Sequence, residues 1–130
     1  MILADSSVWI DYFNGEQNDQ TDLLDESLFD GEIVLLDIVL TEVLQGFRKE
    51  KDFKTAVKLL DPIPCYPALS KELAILTASN HRKLRRKGVT VRKTIDMIIA
   101  TWCIKNRVAL LENDRDYQQI DKVLPLDLIK

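Results

Sequence analysis

The residues of this chain best suited to chemistry are acids. Asp96 is the sharpest of them: it is the only charged residue between Ile95 and Ile104, in a segment that is apolar nearly all round. An ionised carboxylate in such a helix is costly unless it is paired, hydrogen-bonded or bound to a cation. Taken alone, Asp96 equally suits the first turn of a helix, where the backbone dipole favours an acid. Asp5 ends the apolar run Ile2-Leu3-Ala4, and Asp114 and Asp116 follow the run Val108-Ala109-Leu110-Leu111 within Glu112-Asn113-Asp114-Arg115-Asp116. Asp5 by itself also fits a helix cap, Asp114 and Asp116 fit turn or cap positions, and Glu42 reads as a solvated helix residue. Their conjunction is harder to explain that way. Carboxylates gathered at one edge repel one another and need cations to offset the repulsion. Hard oxygen ligands without His or Cys select Mg²⁺ or Mn²⁺.

The other chemistries lack their residues. The single histidine, His81, lies in a polar basic stretch and reads as a surface residue rather than a ligand or base. Cys65 and Cys103 form no CxxC pair and, beside apolar neighbours, read as buried free thiols in a reducing cytosol. A Cys/His zinc site therefore lacks ligands. There is no G-x-S-x-G elbow, P-loop or G-x-G-x-x-G fingerprint.

The elements that must position the acids follow from apolar patterning. Ile2 to Ala4, Ile33 to Leu36 and Val108 to Leu111 are continuous apolar runs, as expected for parallel strands covered on both faces. Helices are expected over Ser7 to Phe13, Asp22 to Phe29, a segment starting near Asp37 as N-cap, Asp52 to Leu60, and Tyr117 to Val123. Pro62, Pro64 and Pro67 confine any strand at Ile63 to Tyr66 to a short or edge position. Leu69, Leu73, Leu76 and Leu84 mark one side of a longer helix that ends at Gly88, Thr94 to Ile104 reads as a buried helix, and Leu126 to Ile129 as a last strand. With 130 residues, 46% hydrophobic and 30% charged, the chain suits one domain over residues 1–130. The expected class is α/β, with a mainly parallel central sheet flanked by helices. In such sheets ligands bind beyond the carboxyl ends of the strands, where these acids fall. No signal peptide and no bilayer-spanning run is expected.

The net charge of −3 does not announce a nucleic-acid binder, but its distribution is uneven. His81 to Lys93 holds Arg82, Lys83, Arg85, Arg86, Lys87, Arg92 and Lys93, seven of the 18 basic residues, and no acid. A basic segment just before Asp96 suits the binding of flanking phosphates beside an acidic pocket. Arg86, Arg92 and Lys93 are the leading candidates, against the alternative of an ordinary solvated helix face.

Four segments together resemble the PIN domain, and within it the VapC-type toxins of toxin-antitoxin pairs. They are Leu3-Ala4-Asp5-Ser6-Ser7-Val8-Trp9-Ile10, Leu40-Thr41-Glu42-Val43-Leu44-Gln45-Gly46, Gly88 through Ala100 with Asp96, and Leu110-Leu111-Glu112-Asn113-Asp114-Arg115-Asp116-Tyr117. Their order and spacing cover essentially the whole chain. The resemblance implies a PIN-like three-layer fold and metal-dependent endoribonuclease activity. It also implies a cytoplasmic homodimer neutralised by a small VapB-type antitoxin. On that reading Asp5, Asp96 and Asp114 hold Mg²⁺ or Mn²⁺, Glu42 ligates directly or through water, and Asp116 is a further acid. Ser6 hydrogen-bonds a ligand or water, or caps a helix. A bound cation lowers the pKa of water and neutralises charge on the scissile phosphate.

This chain departs from the family pattern at two places. Glu112 stands where Thr or His is common and is expected to face solvent rather than add a ligand. Tyr117 stands where Phe is common. A receiver-like signalling module would want an acidic pair after the first strand, but Ser6-Ser7 follows Asp5. A haloacid-dehalogenase-type phosphatase would want D-x-D-x-T there. A non-catalytic RNA-binding protein would not need Asp96 in a buried helix.

Overall fold

The computed structural model describes residues 1–129. Four parallel strands form one sheet in the order β3-β2-β1-β4: β1 (Ile2–Ala4), β2 (Ile33–Leu36), β3 (Cys65–Tyr66) and β4 (Ala109–Leu111). β1 is central and pairs Leu3 with Val34 on one side and with Leu110 on the other. Leu3, Ala4, Val34, Leu35, Leu36, Leu110 and Leu111 are buried, which is why these strands read as unbroken apolar runs rather than alternating ones. β3 is one of the two edge strands, and both of its residues are exposed, in keeping with the prolines around it.

Seven helices flank the sheet: α1 (Ser6–Phe13), α2 (Asp19–Phe29), α3 (Asp37–Gln45), α4 (Glu50–Leu60), α5 (Lys71–Arg86), α6 (Thr94–Asn106) and α7 (Arg115–Asp121). α6 buries every residue from Asp96 to Cys103. α5 packs beside it, and Asn80 of α5 donates its side-chain amide to the Thr101 hydroxyl of α6 at 3.2 Å, which satisfies two buried polar groups. α6 ends with Arg107 in the left-handed region at φ 55°, a position usually given to glycine.

Several expectations are corrected. Asp37 is not the N-cap of α3: that position is Leu36, and Asp37 Oδ1 instead accepts the Ala68 backbone N–H at 3.0 Å. Asn18 caps α2 in a reciprocal pair with Thr21, so the helix starts at Asp19. Leu126 to Ile129 forms a single parallel bridge, Leu110 to Leu128, rather than a strand, because the chain touches the β4 edge only briefly. Cys103 is buried but Cys65 is exposed on the edge strand. Leu73 and Leu84 are buried on α5, whereas Leu69 and Leu76 stay half-exposed. His81 is half-buried: its Nε2–H donates to the Val91 carbonyl at 3.1 Å, and its Nδ1 accepts from Arg85 at 3.3 Å. It tethers the segment that leads into α6.

Candidate active site

Parallel pairing sends the ends of β1, β2 and β4 to one edge, and the acids follow from there. Asp5 is the residue after β1, its N–H extending the ladder to the Leu111 carbonyl at 2.9 Å. It is 4% exposed and caps α1, its Oδ2 accepting the Ser7 hydroxyl at 3.0 Å. The cap role and the cluster role therefore coexist in one side chain. Asp96 reaches the same place from the first turn of α6 and is 5% exposed. Asp114 caps α7 by accepting the Asp116 N–H at 3.0 Å. Glu42, from α3, is half-buried beside Asp5 and Ser6.

Asp96, Asp114 and Asp116 each offer a carboxylate oxygen, and these oxygens lie within 4.8 Å of one another. Asp5 is tied to this trio through Tyr117, whose hydroxyl lies 3.0 Å from Asp5 Oδ1 and 3.3 Å from Asp96 Oδ1. Asp116, a further acid by sequence, thus sits inside the tightest group.

The electrostatics follow from this crowding. Burial, reinforced by Asp5 and Asp114, pushes the Asp96 carboxyl up to about 6, with Lys93 and the Tyr117 hydroxyl pulling the other way. Burial and Asp5 raise Glu42, while the Ser6 hydroxyl and Lys93 lower it. The negative charge of Asp96 and Asp114 raises the exposed Lys93 ammonium, which lies 3.6 Å from Asp114 Oδ2. Among the described residues, Asp96 Oδ2 and Glu42 Oε1 are buried without a hydrogen-bond partner. A buried, unpartnered carboxylate oxygen is expensive, and a cation is the partner that suits it. The donor set is all oxygen, so the residues present fit Mg²⁺ or Mn²⁺.

Glu112 corrects the expectation that it faces solvent. It is 8% exposed, and its Oε2 accepts the Asp114 N–H at 2.7 Å. Burial raises its carboxyl, and that backbone bond lowers it. Tyr117 is the residue whose role sequence reasoning missed. A tyrosine at an apolar position of a short helix needs a partner for its hydroxyl, but nothing local says that the partners are Asp5 and Asp96. Arg86, Arg92 and Lys93 are all exposed, and of the three it is Lys93 that touches the acids.

Residues 2–123 match the PIN domain family. The chain is 28% identical over 133 residues to VapC ribonuclease Mb1587 of Mycobacterium bovis, the match covering 97% of this chain and 96% of the relative. Ribonuclease VapC11 of Mycobacterium tuberculosis matches with the same identity and coverage. Among solved structures, VapBC2 from Rickettsia felis bound to a DNA fragment from its promoter superposes with a TM-score of 0.78 at 18% identity, over 99% of this chain and 98% of that one. FitAcB from Neisseria gonorrhoeae superposes with a TM-score of 0.77 at 16% identity, over 100% and 97%. With strand-end acids gathered around Asp96 and a family match across nearly its whole length, the chain belongs to the PIN domain family.

Proposed function

We propose that this protein is an endoribonuclease toxin that hydrolyses RNA phosphodiesters with Mg²⁺ or Mn²⁺ and is neutralised by a cognate VapB-type antitoxin. The observation that carries the metal reading is Asp96 Oδ2, buried without a partner among the described residues and close to carboxylates from two other segments of the chain, Asp5 and the Asp114–Asp116 turn. The reading as a ribonuclease is supported by relatives of matching length that are named ribonucleases. The antitoxin is supported by the likeness to VapBC structures; a homodimer is what the resemblance to VapC-type toxins implies. The free thiols suit a reducing cytoplasm.

Asp5, Asp96 and Asp114 would hold the cation, with Asp116 as a further acid of the same cluster and Glu42 ligating directly or through water. When bound, the cation supplies neutralisation of phosphate charge and a more acidic water. The chain's own residues do the rest. Where Glu42 meets the cation through water rather than directly, its carboxylate, raised by burial and by Asp5, would take the proton of the attacking water. Water adds to phosphorus, the P–O3′ bond breaks and the departing O3′ takes a proton from solvent water, leaving a 5′-phosphate and a 3′-hydroxyl. Lys93, beside Asp114, faces the phosphate charge, and Arg86 and Arg92 hold flanking phosphates. Ser6, whose hydroxyl lowers the Glu42 carboxyl, would hydrogen-bond a metal ligand or a bound water.

The test is cleavage of candidate RNAs by antitoxin-free protein in Mg²⁺ or Mn²⁺, in EDTA, and by Asp96→Asn. Cleavage requires the cation and wild-type Asp96. Equal cleavage by Asp96→Asn overturns the site assignment, and full cleavage in EDTA overturns the metal.

A further inference from the structure

The Tyr117 side chain is fully buried, yet it is not simply part of the apolar core. Its hydroxyl ends between two carboxylates that sit 91 residues apart in sequence, 3.0 Å from Asp5 Oδ1 and 3.3 Å from Asp96 Oδ1. A phenol has one proton to donate and two carboxylate oxygens to satisfy. Both acids are nearly inaccessible to water, so no solvent dipole replaces that donor. The remaining oxygens are unequal. Asp5 Oδ2 already accepts the Ser7 hydroxyl at 3.0 Å, whereas Asp96 Oδ2 has no partner. The Tyr117 hydroxyl shares its one proton between Asp5 Oδ1 and Asp96 Oδ1, so Oδ2 is the oxygen of Asp96 left without a donor.

We infer that Tyr117 is a positioning residue for the cation site: its hydroxyl clamps Asp5 and Asp96 at a fixed separation and leaves Asp96 Oδ2 free as a ligand. This rests on the metal-dependent reading above. The physical reason is the one that makes outer hydrogen bonds matter around metal ligands generally. A ligand held in its binding orientation before the cation arrives loses no further freedom on binding, and its like-charged neighbour cannot push it aside. Phe would fill the same volume but leave the two carboxylates without their shared donor.

Tyr117→Phe removes one oxygen and keeps the ring, so it separates clamp from core filling. Tyr117→Met is the second variant, likewise without a hydroxyl, and circular dichroism checks that each folds. Mn²⁺ is titrated calorimetrically into metal-free wild type, both variants and Asp96→Asn. The expected result is an affinity about tenfold weaker for both Tyr117 variants, at the lower end of the ~10–100-fold cost of losing an outer-shell partner. RNA cleavage by Tyr117→Phe should lose kcat at fixed Mn²⁺ with KM for RNA unchanged, and excess Mn²⁺ should restore part of the loss. Unchanged or tighter Mn²⁺ binding by either folded variant overturns the clamp while leaving the metal reading intact. A wild type that binds no Mn²⁺, or an Asp96→Asn that binds as well as wild type, overturns the metal reading and the inference with it.

Discussion

The Glu112 carboxylate accepts the backbone N–H of Asp114 at 2.7 Å, from a side chain that is 8% exposed. The bond fixes the turn between β4 and α7 just where Asp114 must aim its own carboxylate at Asp96. Replacing Glu112 by Ala leaves the Asp114 N–H without its acceptor, at a cost of about 1–3 kcal/mol. Glu112→Ala should therefore lower the urea midpoint and weaken Mn²⁺ binding together, whereas a solvated glutamate would change neither. Urea titration with and without Mn²⁺ distinguishes the two.

Asp96 should cost the metal-free protein stability. Its carboxyl is raised from 3.8 to about 6. Between those values the folded state binds more proton than the unfolded state, so this contribution to stability falls as pH rises from about 4 to 6. Asp96→Asn removes the titrating group and should be more stable than wild type in EDTA at pH 7, with the gap closing toward pH 4. Parallel stability profiles for the two proteins would refute the assignment.

The same variant should lose function. An acid that holds the cation contributes more than an outer-shell partner, so cleavage by Asp96→Asn or Asp5→Asn should fall by more than ~100-fold. Loss of activity together with unchanged or higher stability is the signature of a site residue rather than a core residue. A gel assay paired with a thermal melt reads both.

Arg86 and Arg92 lie on the exposed basic segment, and neither forms an ion pair among the described residues. Changed together to Ala they should weaken RNA binding and reduce the salt slope by roughly 1.4, about 0.7 per phosphate contact on a single strand. Mn²⁺ affinity should not change. Filter binding across a salt series measures the slope, and an unaltered slope would assign these residues to an ordinary solvated face.

Arg107 closes α6 at φ 55°. A non-glycine residue there carries roughly 1–2 kcal/mol of strain, partly offset by the greater unfolded-state freedom of glycine. Arg107→Gly should raise stability by up to ~1 kcal/mol and leave cleavage unchanged. Chemical denaturation tests the first and the RNA assay the second.

The strands and the buried α6 were legible in the sequence because sidedness is a local property. An unbroken apolar run, or a helix apolar on every face, says by itself that it is covered all round. Asp96 stood out for the same reason: one charge in the apolar stretch from Ile95 to Ile104 is an anomaly visible without coordinates. The four motifs, read together, carried the family, and residues 2–123 match it. Short polar stretches were less legible. Asp37 looked like a cap but spends its carboxylate on Ala68, 31 residues away, and the chain end near Leu128 touches β4 at one bridge.

What the sequence determined by itself was which acids stand at strand ends and which chemistry an all-oxygen set suits. What only the tertiary structure decided was which of their atoms are free. Parallel pairing of β1 with β4 brings Asp5 next to Leu111, and the packing of α7 on α6 sets the Tyr117 hydroxyl between Asp5 and Asp96. Burial then removes water from those oxygens and leaves Asp96 Oδ2 without a partner. Spacing along a chain does not report such relationships, because hydrogen bonds and desolvation depend on distances set by residues far apart in sequence.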